Sequence, residues 1–174
     1  MSILSVLRRA VRVTMPADVL YHAVVAEARR PEWYLAGEVP DTLDGRFDMV
    51  ALILSLVLIR LDDEGAAQLC ADVTERFIAD MDGSLRQDGV GDQVVGKHIG
   101  RMVAALGGRL GAYRDNRGND AGFAEALRRN LWRGESVNDA AVEWVVAEAR
   151  RVAGRLDATP LATLAAGSLT PVAA

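Results

Sequence analysis

The stretch DMVALILSLVLIR, residues 48–60, decides the fold. Between its charged ends, Met49–Ile59 holds ten apolar residues and Ser55. That is about half of the ~20 residues that a membrane span requires. No polar face interrupts the run, so it predicts a helix buried on all sides at the centre of an all-α core. Asp41 or Thr42 is placed to cap it, which sets the helix at about 43–61.

A helix with no wet side needs others around it, and the flanking sequence supplies them at helical spacing. Pro16 suits the first turn of a helix running to about Arg30, with Val19, Leu20, Ala23, Val24 and Ala28 as its apolar set. Pro31 then opens an expected loop, PEWYLAGEVPDT, whose Trp33 and Tyr34 read either as a lid over the core or as a contact surface. Beyond Gly65, residues 66–86 place Ala66, Leu69, Cys70, Val73, Phe77 and Ile78 on one face. Further helices are expected over 93–112, over 120–132 through Phe123, Ala126, Leu127 and Leu131, and over 137–156 through Val142, Val145, Val146, Ala149 and Val152. No alternating strand pattern and no repeat is present. The expectation is an all-α, single-domain bundle of six or seven helices around the buried central one. Residues 15–157 form its body, 1–14 an amphipathic basic segment, and 158–174 a flexible, small-residue tail.

At 174 residues with 51% hydrophobic and 25% charged content, the chain can bury a core without staples. Its single cysteine, Cys70, excludes an internal disulfide and suits a reducing compartment. The formal charge of −4 is uneven: residues 1–30 carry +3, residues 31–92 carry −10, and residues 93–174 carry +3. With an acidic balance and no dense basic run, nucleic-acid binding is not expected. Residues 3–13, ILSVLRRAVRV, set Ile3, Leu7, Ala10 and Val11 on one side and Arg8, Arg9 and Arg12 elsewhere. They lack the layout of a secretory signal. Three readings stand for them: a helix packed on the body, a peripheral membrane contact, or the remnant of an organellar presequence.

Residues 77–111, FIADMDGSLRQDGVGDQVVGKHIGRMVAALGGRLG, hold four aspartates, Lys97 (the chain's only lysine), His98 and eight of its sixteen glycines. Asp88-Gly89 and Gly91 break the chain, and Asp92 is placed to cap the next helix. At ~100° per residue that helix sorts into three arcs. Val95, Ile99, Met102, Val103, Leu106 and Leu110 are apolar. Gly96, Gly100, Ala104, Gly107 and Gly111 form a stripe with almost no side chain. Lys97 and Arg101 flank the stripe, with His98 and Arg109 beyond them. A helical glycine costs roughly 1 kcal/mol relative to alanine, so Gly96 and Gly100 imply close approach by something. That something is either another helix of this chain or a partner segment beside a basic rim.

Most catalytic readings fail. Asp80-Met81-Asp82 has the spacing of a phosphatase nucleophile pair, but Val73, Phe77 and Met81 share a helical face where that chemistry needs a strand. A calcium loop through Asp80, Asp82 and Ser84 would place Leu85 at the glycine position and Gly91 at the glutamate position. Cys70, His22 and His98 have no paired metal-ligand spacing. No phosphate loop or nucleophile elbow is present. The expectation is a non-enzyme with no cofactor and no metal.

The ordered set PEWY (31–34), DT (41–42), RFDM (46–49), DMD (80–82), LR (85–86), GVGD (89–92), VGK (95–97), GAY (111–113) and ALRRNLW (126–132) resembles the ubiquinol–cytochrome c chaperone family. The resemblance covers roughly residues 15–157, and Leu85 through Lys97 is its most specific part. It implies an all-α, cofactor-free assembly factor for ubiquinol–cytochrome c reductase, whose mitochondrial members act on newly made cytochrome b with a small partner subunit, at or near the ribosome and inner membrane. The family pattern falls on Asp80, Asp82, Arg86, Gly89, Gly91, Asp92, Gly96 and Lys97, then on Tyr113, Leu127, Arg129 and Asn130. Gly100 and Arg101 join these by helical geometry. Trp33, Tyr34, Tyr113, Arg129 and Asn130 form a second set of expected partner contacts. The short N-terminal segment favours the bacterial cytoplasm, with the inner membrane face or a mitochondrial matrix as alternatives. Two functional expectations follow. The first is a chaperone whose 80–101 region holds cytochrome b or its nascent chain. The second is a membrane-peripheral scaffold without a client. Within the first, Arg86 and Lys97 either meet the client or pair internally with Asp80, Asp82 or Asp92.

Overall fold

The computed structural model of the chain describes residues 15–87 and 92–171, so the expectations for residues 1–14 lie outside the described residues. Eight helices run through them: α1 (Pro16–Ala28), α2 (Pro31–Leu35), α3 (Leu43–Asp63), α4 (Ala67–Gln87), α5 (Asp92–Asp115), α6 (Asp120–Leu131), α7 (Asp139–Ala158) and α8 (Leu161–Ala165). No strand occurs among the described residues. Six helices are long and two have five residues each.

The central helix is α3. From Met49 to Ile59 no residue is more than 8% exposed, Ser55 included. Ser55 stays satisfied by donating to the Ala51 carbonyl one turn back. Helices α1, α4, α5, α6 and α7 all pack against α3. Its β-branched residues, such as Val50, Ile53 and Val57, each cost under about 0.7 kcal/mol of helix propensity. Burying such a side chain contributes roughly 1.5–3 kcal/mol, so packing decides the conformation. Thr42 is the cap, its hydroxyl accepting from the Gly45 amide at 3.1 Å. Gly45 itself must be glycine, because a Cβ there would lie 1.9 Å from the Pro40 carbonyl oxygen. Asn119 and Asn138 cap α6 and α7 in the same manner.

Two expectations need correction. Residues 31–35 are not loop but a short helix, with Pro31 at its first position, where a missing amide hydrogen costs nothing. Inside it Trp33 is fully buried, its indole donating to the Glu27 carbonyl at 2.9 Å and its ring standing edge-on to Trp144 at 5.6 Å. Trp33 is therefore core, not a partner surface. The second correction concerns the tail expected to be flexible over 158–174. Thr159, Leu164 and Leu169 are buried, and α8 packs on α1. Single leucines spaced along an alanine-rich stretch give little periodic signal, yet each fills a place on the body.

The charge that closes the apolar run is also buried. Asp48 has no exposed surface. One carboxylate oxygen accepts from Arg109 on α5 at 2.5 Å, the other from Arg133 after α6 at 2.9 Å. Arg133 reaches on to Asp44 at 2.7 Å, and the Arg109 guanidinium lies over the Phe47 ring. Burial pushes the Asp48 carboxyl above the usual carboxylate range, and the two arginines pull it back. Removing one partner of such a cluster leaves a buried charge uncompensated. Arg109→Met should lower unfolding free energy by about 3 kcal/mol in a denaturant titration, and adding Asp48→Asn to that chain should recover part of the loss.

Candidate functional site

Helices α4 and α5 pack against one another and against α3, and between their outer faces lies a groove of about 430 Å³. Ala71, Thr74 and Ile78 of α4 line it from one side, Leu110 and Arg114 of α5 from the other, and Leu58 with Cys70 forms part of its lining. The Cys70 thiol is half-buried against the Leu58 carbonyl, and burial raises its pKa, so it behaves as a small apolar wall and not as a nucleophile.

The face that α5 turns to the core runs through Leu106, Arg109 and Tyr113, of which Leu106 and Tyr113 are buried and Arg109 reaches Asp48. At 3.6 residues per turn, the row through Leu110, Val103 and Gly96 lies beside that face. Gly107, Gly100 and Gly111 follow on its outer flank. The stripe therefore continues the wall of the groove toward the N-terminal half of α5. Gly96, Gly100 and Gly107 are exposed, and Val103 is an exposed large apolar residue at 38%. A Cβ placed at Gly96, Gly100, Gly107, Gly108 or Gly111 would meet no atom within 4 Å beyond α5 itself and its chain neighbours. Among the described residues, no other helix packs into the stripe at that distance.

The other expected residues divide. Asp80 is exposed and turns to α1, accepting from the Tyr21 hydroxyl at 2.7 Å. Burial, and then that hydrogen bond, drives the Tyr21 phenol far above its ordinary range. Asp82, two residues on and so across the helix, is half-buried. The two aspartates thus point apart, as a pair of metal-binding carboxylates would not. Among the described residues no group of three or more His, Cys, Asp or Glu is arranged to hold a metal ion. Arg101 is exposed on α5, on the far side from Leu110. Gly89 and Gly91 lie outside the described residues, as do the side chains of Arg86, Asp92 and Lys97, so the expected Asp92 cap and the internal pairing of Arg86 or Lys97 fall there too.

The secondary set is mostly structural. Tyr113 is 1% exposed, its ring edge-on to Phe123 and its hydroxyl accepting from Asn130 at 3.2 Å. Burial pushes its phenol up to about 12. Tyr113 is core and not partner surface, and Asn130 is the half-buried group that satisfies it. Tyr34 is half-buried, with its hydroxyl donating to the Ala28 carbonyl at 2.9 Å. Arg129 remains exposed on α6. Sequence reasoning missed the pairing of Asp48 with Arg109 and Arg133, although an aspartate abutting ten apolar residues was a signal that it needs a buried cation. Ile78 and Leu110, read from sequence as members of apolar helix faces, are half-buried against the core and line the groove.

A family model described as Ubiquinol-cytochrome C chaperone matches residues 36–172. The crystal structure of the Cbp3 homolog from Brucella abortus is similar to this chain at 29% identity and a TM-score of 0.79, with 99% of this chain and 97% of that chain covered. A comparison with curated protein sequences returns no match.

The open space around the stripe has a measurable consequence. In the free protein the triple replacement of Gly96, Gly100 and Gly107 by alanine should raise unfolding free energy, because each change gains about 1 kcal/mol of helix propensity and displaces nothing. Thermal melting should show a clear upward shift.

Proposed function

The chain belongs to the ubiquinol–cytochrome c chaperone family, and from that premise we propose that it is a non-enzymatic assembly factor that holds newly made cytochrome b, through the α4–α5 groove and glycine stripe, for assembly of ubiquinol–cytochrome c reductase. The observation that carries the site is the stripe itself: its four α5 glycines, Gly96, Gly100, Gly107 and Gly111, have open space where a side chain would stand. Gly96 with Gly100, and Gly107 with Gly111, have the spacing that lets the backbones of apolar helices approach closely. A cytochrome b segment is such a helix before it enters the bilayer. Ile78, Val103 and Leu110 offer it apolar contact, and Lys97 and Arg101 supply positive charge for its polar flank or for the acidic ends of its connecting loops. Asp80, Asp82, Arg86, Gly89, Gly91 and Asp92 belong to the same partner-binding region in this reading. A small partner subunit or the ribosome completes the complex in this reading, on Arg129 and the neighbouring α6 surface. No described helix is long and apolar enough to cross a membrane. We place the protein at the inner face of the bacterial membrane, where its client emerges, with the mitochondrial matrix as the corresponding compartment.

Tagged wild type, Gly100→Leu/Gly107→Leu and Lys97→Glu/Arg101→Glu should be compared in pull-downs, after circular dichroism has shown equal folding. Wild type should bring down cytochrome b, and the leucine variant should lose capture by about tenfold or more, while the charge variant weakens it. Equal capture by the leucine variant would remove the stripe from the client site. If wild type captures no cytochrome b, the protein is a scaffold without that client.

A further inference from the structure

A second groove, of about 950 Å³, lies where the start of α1, the start of α4 and α8 meet. Its lining is mostly apolar, through Met15, Leu69, Leu161 and Ala165. Among the described residues, Glu75 alone lines both this groove and the one between α4 and α5. Glu75 is exposed, so it stands on the ridge of α4 between two apolar recesses. Three charged residues line the second groove, Asp72, Glu75 and Arg76. Arg76 is engaged by Asp18 at 3.1 Å, and Asp72 accepts from the neutral Gln68 amide at 2.8 Å. The charge left to an occupant is therefore that of two carboxylates. The positive end of the α4 dipole does not cancel it, since that field falls off within the first turn and both carboxylates lie beyond it.

An apolar recess with unneutralised carboxylates at its edge fits a segment that is apolar and ends in lysine or arginine. The cytoplasmic flank of a membrane helix has that chemistry, because such flanks carry an excess of both residues. Continuity with the α4–α5 groove, through Glu75, selects one molecule as the occupant of both. We propose that the membrane segment held between α4 and α5 runs on over Glu75, and that its basic flank docks in the second groove beside Asp72 and Glu75. This rests on the client reading above and gives the bound segment a direction. Its apolar body lies at Ile78 and Leu110, and its basic flank lies at Leu69 and Ala165. A segment with an acidic flank would meet two like charges there. A second copy of the chain is a poorer occupant, since two chains of net charge −4 repel.

The test is a nuclear magnetic resonance titration of the full chain with two synthetic peptides that share a leucine-rich body. One ends in lysines and the other in glutamates. The lysine peptide should shift the amide signals of residues 66–76 and 161–165 and bind about tenfold more tightly than the glutamate peptide. In Asp72→Lys/Glu75→Lys that preference should reverse, which a variant that merely weakened the fold would not produce. No shift with either peptide, equal affinity for the two, or an unchanged preference in the double variant would overturn the proposal. So would shifts of the same residues on concentrating the protein alone, which would place a second copy in the groove. A lysine peptide that binds only once Arg8, Arg9 and Arg12 are replaced by glutamine would also overturn it, by making the chain's own first residues the occupant. The peptides carry no cytochrome b sequence, so capture of cytochrome b itself is judged separately by the pull-down.

Discussion

The fold depends on a helix that has no side to offer to water. Along Met49–Ile59 every azimuth of α3 carries an apolar group or the self-satisfied Ser55, so five other helices must enclose it. Each of the five spends one face on that task, and what it does with its remaining surface is then free to vary. In α4 the face through Val73 and Phe77 is buried on the core. Its flanks are left to two grooves, one shared with α5 and the other with α1 and α8. The recesses are the geometric remainder of wrapping cylinders about a cylinder.

Apolar packing of this kind is poor at fixing rotation and register, because one aliphatic contact resembles another. Buried charge supplies the distinction. Asp48 accepts from both Arg109 and Arg133, which fixes the rotation of α5 about its axis and the position of the turn after α6. On the other side Glu148 of α7 is 5% exposed and is met by Arg30 at 2.8 Å and by Arg151, while Glu27 accepts from both Arg30 and Arg155. Burial works against the Glu148 charge, and the hydrogen bonds of Arg30 and Arg151 outweigh it, holding the carboxyl below its ordinary range. Such clusters contribute little net stability beside apolar replacements, but a wrong arrangement would strand a charge in the core. Here they set which face of α5 looks outward, and thus where its glycines stand.

That division explains what could be read from the sequence. The central helix, a cap at Asp41 or Thr42 and the approximate spans of the six long helices follow from period, capping residues and breakers, all of which are local. The short helices α2 and α8 were hidden because five residues hold too few turns to show a period. Trp33, open in sequence between a core lid and a contact surface, and Tyr113, expected as a partner contact, could not be placed because an aromatic in a short polar context looks the same whether it faces in or out. Their indole and hydroxyl partners, Glu27 and Asn130, lie 6 and 17 residues away. The ordered motifs that carry the family resemblance were legible, and so was the presence of the stripe. Which way the stripe faces was not, because that depends on Arg109 finding a carboxylate 61 positions earlier.

Two groups among the glycines contrast, and the contrast bears on the proposed function. At Gly37, Gly45 and Gly122 a Cβ would come within 2.5 Å of backbone or side-chain atoms, so the fold itself demands glycine there. At Gly96, Gly100, Gly107, Gly108 and Gly111 it would meet nothing. No turn is needed at these places either, since all five lie within α5. Open space also surrounds Gly83 of α4 and Gly154 of α7, but only α5 gathers such glycines along one helix. At roughly 1 kcal/mol each relative to alanine, the α5 group gives up several kcal/mol of helix propensity in a protein whose kind is stable by only about 5–15 kcal/mol. Nothing inside the described fold offsets that loss. A sequence departs from local consistency in this way where function sets the residue, which is the argument for placing the proposed client surface on this face of α5.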